Sequence, residues 1–226
     1  AGIHRWGLCV DGTFLPDQPN QMLCDNRRLQ IPVMIGNTDD EFTDVFPAKT
    51  YEEFEAQVNA RMGDAAAEFL ALCGKGRLDE AQVMANAKVN GSAFGARLFS
   101  MRAADAGLPV YFYSFGPEMP GGDNAGAFHS SELWFMFETL AKCWRPFTGK
   151  HYDLARQMCN YWTNFAKTGN PNGPDADGTP MPAWQPFMGD ISRGIVFRDK
   201  AEMDPADLTP AIRFLYEAAA KKLWRK

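Results

Sequence analysis

Two stretches of this chain put chemistry-bearing side chains where an apolar run ends. Ile31-Pro32-Val33-Met34-Ile35-Gly36 has the length, β-branched content and closing glycine of a buried parallel strand. Asn37-Thr38-Asp39-Asp40-Glu41-Phe42 follows it directly and supplies three acids. Val110-Tyr111-Phe112-Tyr113-Ser114-Phe115 reads as a second buried strand. It releases a Gly/Pro-rich loop, Gly116 to Gly126, which leads to His129 just before Ser130-Ser131-Glu132 opens an apolar helix. In open α/β sheets, catalytic groups gather at the carboxyl ends of strands. A carboxylate beside a histidine can fix the imidazole tautomer and stabilise the imidazolium that forms when the ring takes a proton from a nucleophile. Each stretch also has an inert reading. The acids can form a solvated turn that caps the next helix through Asp39 or Asp40, and His129 can be a loop histidine bonded to a carbonyl. Glu132, on the first turn of its helix, suits the helix dipole and reads as structural.

The elements between and after these stretches are mostly helical. Thr50 with Glu53 makes a capping box, and Phe54, Val58 and Met62 have helical spacing. Gly63-Asp64 breaks that helix, and Ala65 to Leu72 resumes. Leu78 to Ala104 is helical again, divided at Asn90-Gly91. This block, about 50–105, reads as a helical insertion, and its Met and Phe stripe as core packing. Ser131 to Leu140 is expected to be a helix buried on most sides. Tyr152 to Lys167 is amphipathic and stops at Gly169-Asn170-Pro171. A short last strand is expected over Gly194 to Arg198 and a terminal helix over Leu208 to Trp224.

The 226 residues are 46% hydrophobic and 13% aromatic, the composition of a packed globular chain. The net charge of −5, with no basic cluster, argues against nucleic acid as a partner. No apolar run reaches the ~18 residues of a membrane span. The first residues, AGIHRWGLCVDG, lack both an initiator Met and the apolar core of a signal peptide, a start compatible with a processed or cut end. Five widely spaced cysteines show no CxxC pair and no histidine at metal-ligand spacing. Neither a metal nor a cofactor is expected. The odd cysteine count requires a free thiol, with buried free cysteines expected, and favours a cytoplasmic origin over a secreted one.

What is absent narrows the chemistry. None of Ser92, Ser100, Ser114, Ser130, Ser131 and Ser192 lies in G-x-S-x-G, no cysteine lies in G-x-C-x-G, and no HGGG-type oxyanion stretch occurs. An acid followed by a histidine is the order of the α/β-hydrolase triad, Ser…Asp/Glu…His. The segments IPVMIGNTDDEF, PVYFYSFGPE, GAFHSSELWFMF, NYWTNFAKTGNPN and PAWQPF, with DGTFLPDQP before them, resemble the carboxyl-terminal half of type-B carboxylesterases. That family includes the para-nitrobenzyl esterases and cholinesterases, and the resemblance covers essentially the whole chain.

The resemblance implies an α/β fold: residues 1–226 as the carboxyl-terminal part of one α/β-hydrolase domain, a mixed, mostly parallel sheet flanked by helices and incomplete by itself. It implies that Glu41 is the triad acid and His129 the base, with Asp39 and Asp40 in support. Phe42 stands where the family usually has Gly. The nucleophile serine and oxyanion loop belong to the family's amino-terminal half, so the expected partners are that half and a small-molecule ester. The chain alone is expected to be inactive. A second class also fits the superfamily, a non-catalytic binding or structural module.

Overall fold

The computed structural model describes residues 7–41, 44–188, 194–204 and 208–224. Chain order runs α1 (Pro19–Cys24), β1 (Val33–Thr38), α2 (Tyr51–Met62), α3 (Ala66–Cys73), α4 (Glu80–Asn86), α5 (Gly91–Asp105) and β2 (Val110–Phe115). Then come α6 (Glu132–Met136), α7 (Gly149–Thr168), β3 (Ile195–Phe197), β4 (Ala201–Met203) and α8 (Pro210–Leu223). Among the described residues the strands form one sheet in the order β1-β2-β3-β4. The first three run parallel and β4 closes the sheet antiparallel to β3. This is the mixed, mostly parallel sheet of an α/β-hydrolase.

Alternation along β2 divides the apolar residues between two cores, as the period of a strand requires. Val110 and Phe112 face a cluster built from α2 to α5 and α8, with Phe54, Val58, Phe69 and Leu215 among its buried members. Tyr111 and Phe115 face the opposite cluster, where α6 and α7 contribute Phe135, Leu154, Met158 and Tyr161. Trp184 is fully buried at the centre of that second layer. Its ring meets Tyr161 and Phe197 at 5.4 and 5.7 Å, and its indole N–H donates to the Phe112 carbonyl at 3.1 Å. Asn172 accepts from the Trp184 amide and donates to its carbonyl (2.7 and 3.0 Å), and Tyr161 donates to Pro182 O at 2.6 Å. The NYWTNFAKTGNPN and PAWQPF segments are thereby one packed unit.

The helix boundaries follow their caps. Thr50 accepts from Glu53 N–H, but the Glu53 carboxylate accepts from Lys49 N–H, one residue earlier than in a standard capping box. Asn90 caps α5, accepting from Ser92 and Ala93 N–H. His151 is buried and caps α7: its Nδ1 accepts from Thr148 N–H at 3.0 Å, the reaching-back role usually taken by Glu. Gly169 ends that helix in the left-handed region.

Three expectations need correction. Ser131 to Leu140 is not one helix. Glu138 takes a left-handed φ of 49°, Glu138 N–H bonds Phe135 O and Thr139 N–H bonds Trp134 O, the paired bonds of a Schellman stop, before a 3₁₀ turn at Leu140–Lys142. Nor is it buried on most sides: Phe137 is 67% and Leu133 41% exposed. The hairpin partner β4 has no counterpart in the sequence reading, three residues being too short to show alternation. The cysteines are all free, yet Cys73 alone is buried and Cys9 is exposed. Burial pushes the Cys73 thiol up to about 11, which keeps it inert. Among the described residues no helix is long and apolar enough to cross a membrane.

Candidate active site

The register of β1 on β2 runs from Val33 opposite Val110 to Thr38 opposite Phe115, so the two strands end level. The acidic turn and the histidine loop therefore leave the sheet side by side, at the carboxyl edge where such sites form. Each acid of the turn then finds a different partner. Asp39 N–H donates to Phe115 O at 2.9 Å, its carboxylate accepts from the Ser114 hydroxyl, and Arg198 stands 3.7 Å away. Asp40 N–H donates to Ala127 O at 3.1 Å and the Asp40 carboxylate accepts from Ala127 N–H at 2.9 Å. Glu41 Oε1 meets His129 Nδ1, 88 residues away in sequence.

Close approach at the loop ends requires glycine. A Cβ on Gly126, whose φ is +63°, would collide with the Asp40 carboxylate, and one on Gly116 with that of Asp39. Beyond Gly126, His129 sits in a turn closed by Ser131 N–H to Phe128 O at 3.0 Å, with Ser130 at a φ of 68°. A left-handed serine here is a local strain that turns the chain sharply into α6.

Glu41 is held at both carboxylate oxygens and at its backbone carbonyl. Its second carboxylate oxygen accepts from the Thr38 hydroxyl at 3.3 Å, and its backbone carbonyl accepts from the Asn90 side-chain amide. The Glu41 side chain is 12% exposed and the His129 side chain 58%. The half-buried carboxylate and open ring suit an acid that orients a base and a base that meets a reactant. Glu132, three residues past His129, is half-buried, and its Oε2 is sheltered from solvent with no hydrogen-bond partner. Burial raises its pKa, its own backbone opposes, and the nearby Glu41 charge raises it further while His129 lowers it. Desolvation thus outweighs the helix-start effect expected for this residue.

Sequence reasoning passed over Thr38 as a contact and read Asn90 only as a helix divider. An Asn-Gly pair ahead of an apolar run is an N-cap signal, which accounts for the Asn90 side-chain oxygen. Nothing local announces that its amide reaches Glu41, because that contact spans 49 residues. Phe42 lies outside the described residues. Among the described residues no cluster of His, Cys, Asp and Glu could hold a metal ion.

A model of the Carboxylesterase family matches residues 91–204, half of the chain and the part that carries β2, His129 and α7. The chain belongs to the carboxylesterase family. Among its carboxylesterase relatives, the cocaine esterase of Homo sapiens is 26% identical over 246 aligned positions, covering 96% of this chain and 41% of that protein. The medium-chain fatty acyl-CoA hydrolase precursor of Anas platyrhynchos is 29% identical over 196 residues, 73% of this chain and 34% of that one. The chain thus spans roughly a third to two fifths of the length of these relatives. A solved esterase from anaerobic Clostridium hathewayi, described as able to hydrolyze aliphatic aromatic polyesters, matches with a TM-score of 0.48 and 22% identity, over 86% of this chain and 37% of that one.

Proposed function

We propose that this carboxylesterase chain supplies the acid and the base of a Ser-Glu-His triad for carboxylic ester hydrolysis. The nucleophile serine and the oxyanion donors come from an amino-terminal segment that packs beside β1. The observation that carries the reading is the contact between half-buried Glu41 and open His129 at the level ends of two parallel strands.

With Nδ1 engaged by Glu41, Nε2 is the ring nitrogen that exchanges a proton with the reactants. The partner serine attacks the ester carbonyl carbon as its hydroxyl proton passes to Nε2, and Glu41 stabilises the imidazolium. The C–O bond to the alcohol then breaks, and the leaving oxygen takes that proton. Water repeats the sequence on the acyl-serine: its proton goes to Nε2, the acid is released, and the proton returns to the serine. Support for the partner lies at the sheet edge. Among the described residues β1 pairs on one side alone, leaving a parallel strand open where further strands of the same sheet can add.

The test is direct. The chain and an amino-terminal carboxylesterase segment bearing G-x-S-x-G, produced together, should hydrolyse a para-nitrophenyl ester and label with a fluorophosphonate on that serine. The chain alone should do neither. Full activity of the pair after His129→Ala would reject the assignment. The second reading, a non-catalytic module, gives no chemical reason for an acid to be held against a histidine.

A further inference from the structure

The segment from Gly116 to Ser131 carries His129 across open ground between β2 and α6. Asn124, Gly121, Gly122 and Gly126 all have positive φ, so its backbone follows no ladder. The Asp40 bonds to Ala127 fasten its far end. Its middle is fastened by one side chain from beyond α6. Arg145 donates from Nη1 to Pro120 O and to Asp123 Oδ1, both at 2.9 Å, and from Nη2 to Asp123 Oδ2 at 2.8 Å. The two-pronged pairing fixes orientation as well as distance. The guanidinium also lies 5.4 Å from the ring of Phe128, the residue before His129, and 4.7 Å from that of Trp144. The Phe128 ring in turn meets Trp134 of α6 edge-on at 5.7 Å.

This is a built clamp. The Arg145 side chain is 5% exposed while Asp123 is 43% exposed, so the charge is sheltered and its carboxylate partner is reached from the surface. Its Nε remains without a hydrogen-bond partner, a cost that a mere surface ion pair would not carry. The loop is also shaped to it: a Cβ on Gly121 would come within 2.8 Å of Arg145 Nη1 and 3.0 Å of Trp144.

We propose that Arg145 is a positioning residue for His129. By holding Pro120 and Asp123 and stacking on Phe128 it keeps the loop in the shape that brings the imidazole to Glu41. The proposal rests on the ester-hydrolysis reading above. A catalytic group displaced by about 1 Å can cost on the order of 100-fold in rate, so loosening the loop should strike turnover.

The experiment uses the chain assembled with its amino-terminal segment, and compares Arg145→Met, Arg145→Lys and Asp123→Asn with wild type. Arg145→Met and Asp123→Asn should lower kcat about 10- to 100-fold with KM within about 2-fold, because substrate binding is untouched while the base is misplaced. Arg145→Lys, with the charge but not the fork, should recover only part of the loss. Amide hydrogen exchange over residues 116–131 should quicken in step with the kcat loss. If Arg145→Met fails to fold, Asp123→Asn alters only the more exposed partner and carries the test alone. Wild-type kcat in the folded variants, or equal slowing by a change that leaves loop exchange unaltered, would overturn the proposal. Should His129→Ala remain fully active, the ester-hydrolysis reading fails instead, and the two failures are told apart.

Discussion

Asp40 and Ala127 hold each other by two backbone-directed hydrogen bonds, one from each residue, across 87 positions of sequence. One of them ends on the carboxylate next to Glu41 and the other on the loop two residues before His129. The pair therefore sets the gap that Glu41 and His129 close.

That relationship makes Gly126 sensitive. Gly126→Ala adds a Cβ at positive φ against the Asp40 carboxylate. Roughly 1–3 kcal/mol of stability should be lost, and kcat should fall in the assembled enzyme. Thermal melting and ester hydrolysis read the two effects. An Ala variant that melts and turns over as wild type would show that the clamp is slack.

In the assembled enzyme, His129→Ala and Glu41→Gln should each reduce kcat by several orders of magnitude, on the order of 10⁴-fold for the acid. Asp39→Asn and Asp40→Asn should cost much less, since their carboxylates meet Ser114 and Ala127 in place of the ring. Steady-state kinetics on the four variants ranks them. A larger loss in either Asp variant than in Glu41→Gln would move the acid role.

His151 should behave differently from His129. It is buried and caps α7, so His151→Ala should lose about 1 kcal/mol or more of stability, while kcat of the folded enzyme holds. Denaturant melts beside an esterase assay separate the outcomes. His4 lies outside the described residues.

Glu132 supplies a pH signature. Its pKa is raised above the ordinary 4.5 by burial, with Glu41 adding. A folded acid that holds its proton more tightly than the unfolded one makes stability fall as pH rises from that ordinary value to the raised one. Glu132→Gln removes this titration. Its melting temperature relative to wild type should climb over that window and level off above it. An unchanged difference from pH 4 to 8 would contradict the burial effect.

Much of this architecture is written in local patterns. The apolar runs of β1 and β2, the helix break at Gly63-Asp64, the Asn90 cap and the Gly169 stop each depend on a few neighbouring residues. Those neighbours carry their own backbone preferences wherever the chain folds. The segments that resemble type-B carboxylesterases point to Glu41 and His129 as the proposed acid and base, and the same stretch of resemblance includes α7 and the Trp184 unit.

Other features had no local cause to be read. The level register of β1 on β2 comes from packing both faces of the sheet, and shifting it by one residue would turn every side chain over. That register distributes Asp39, Asp40 and Glu41, three adjacent carboxylates, to three unlike partners. Composition cannot rank them, because the distinction is one of direction in space. Glu138 ends α6 early although its residue type favours helix, since the paired bonds to Trp134 and Phe135 outweigh propensity. Arg145 stands in the bend Trp144-Arg145-Pro146, where no neighbour in sequence ties it to the loop that β2 releases. Contacts between residues far apart in sequence are settled by the packing of whole elements, and the site is made almost entirely of such contacts.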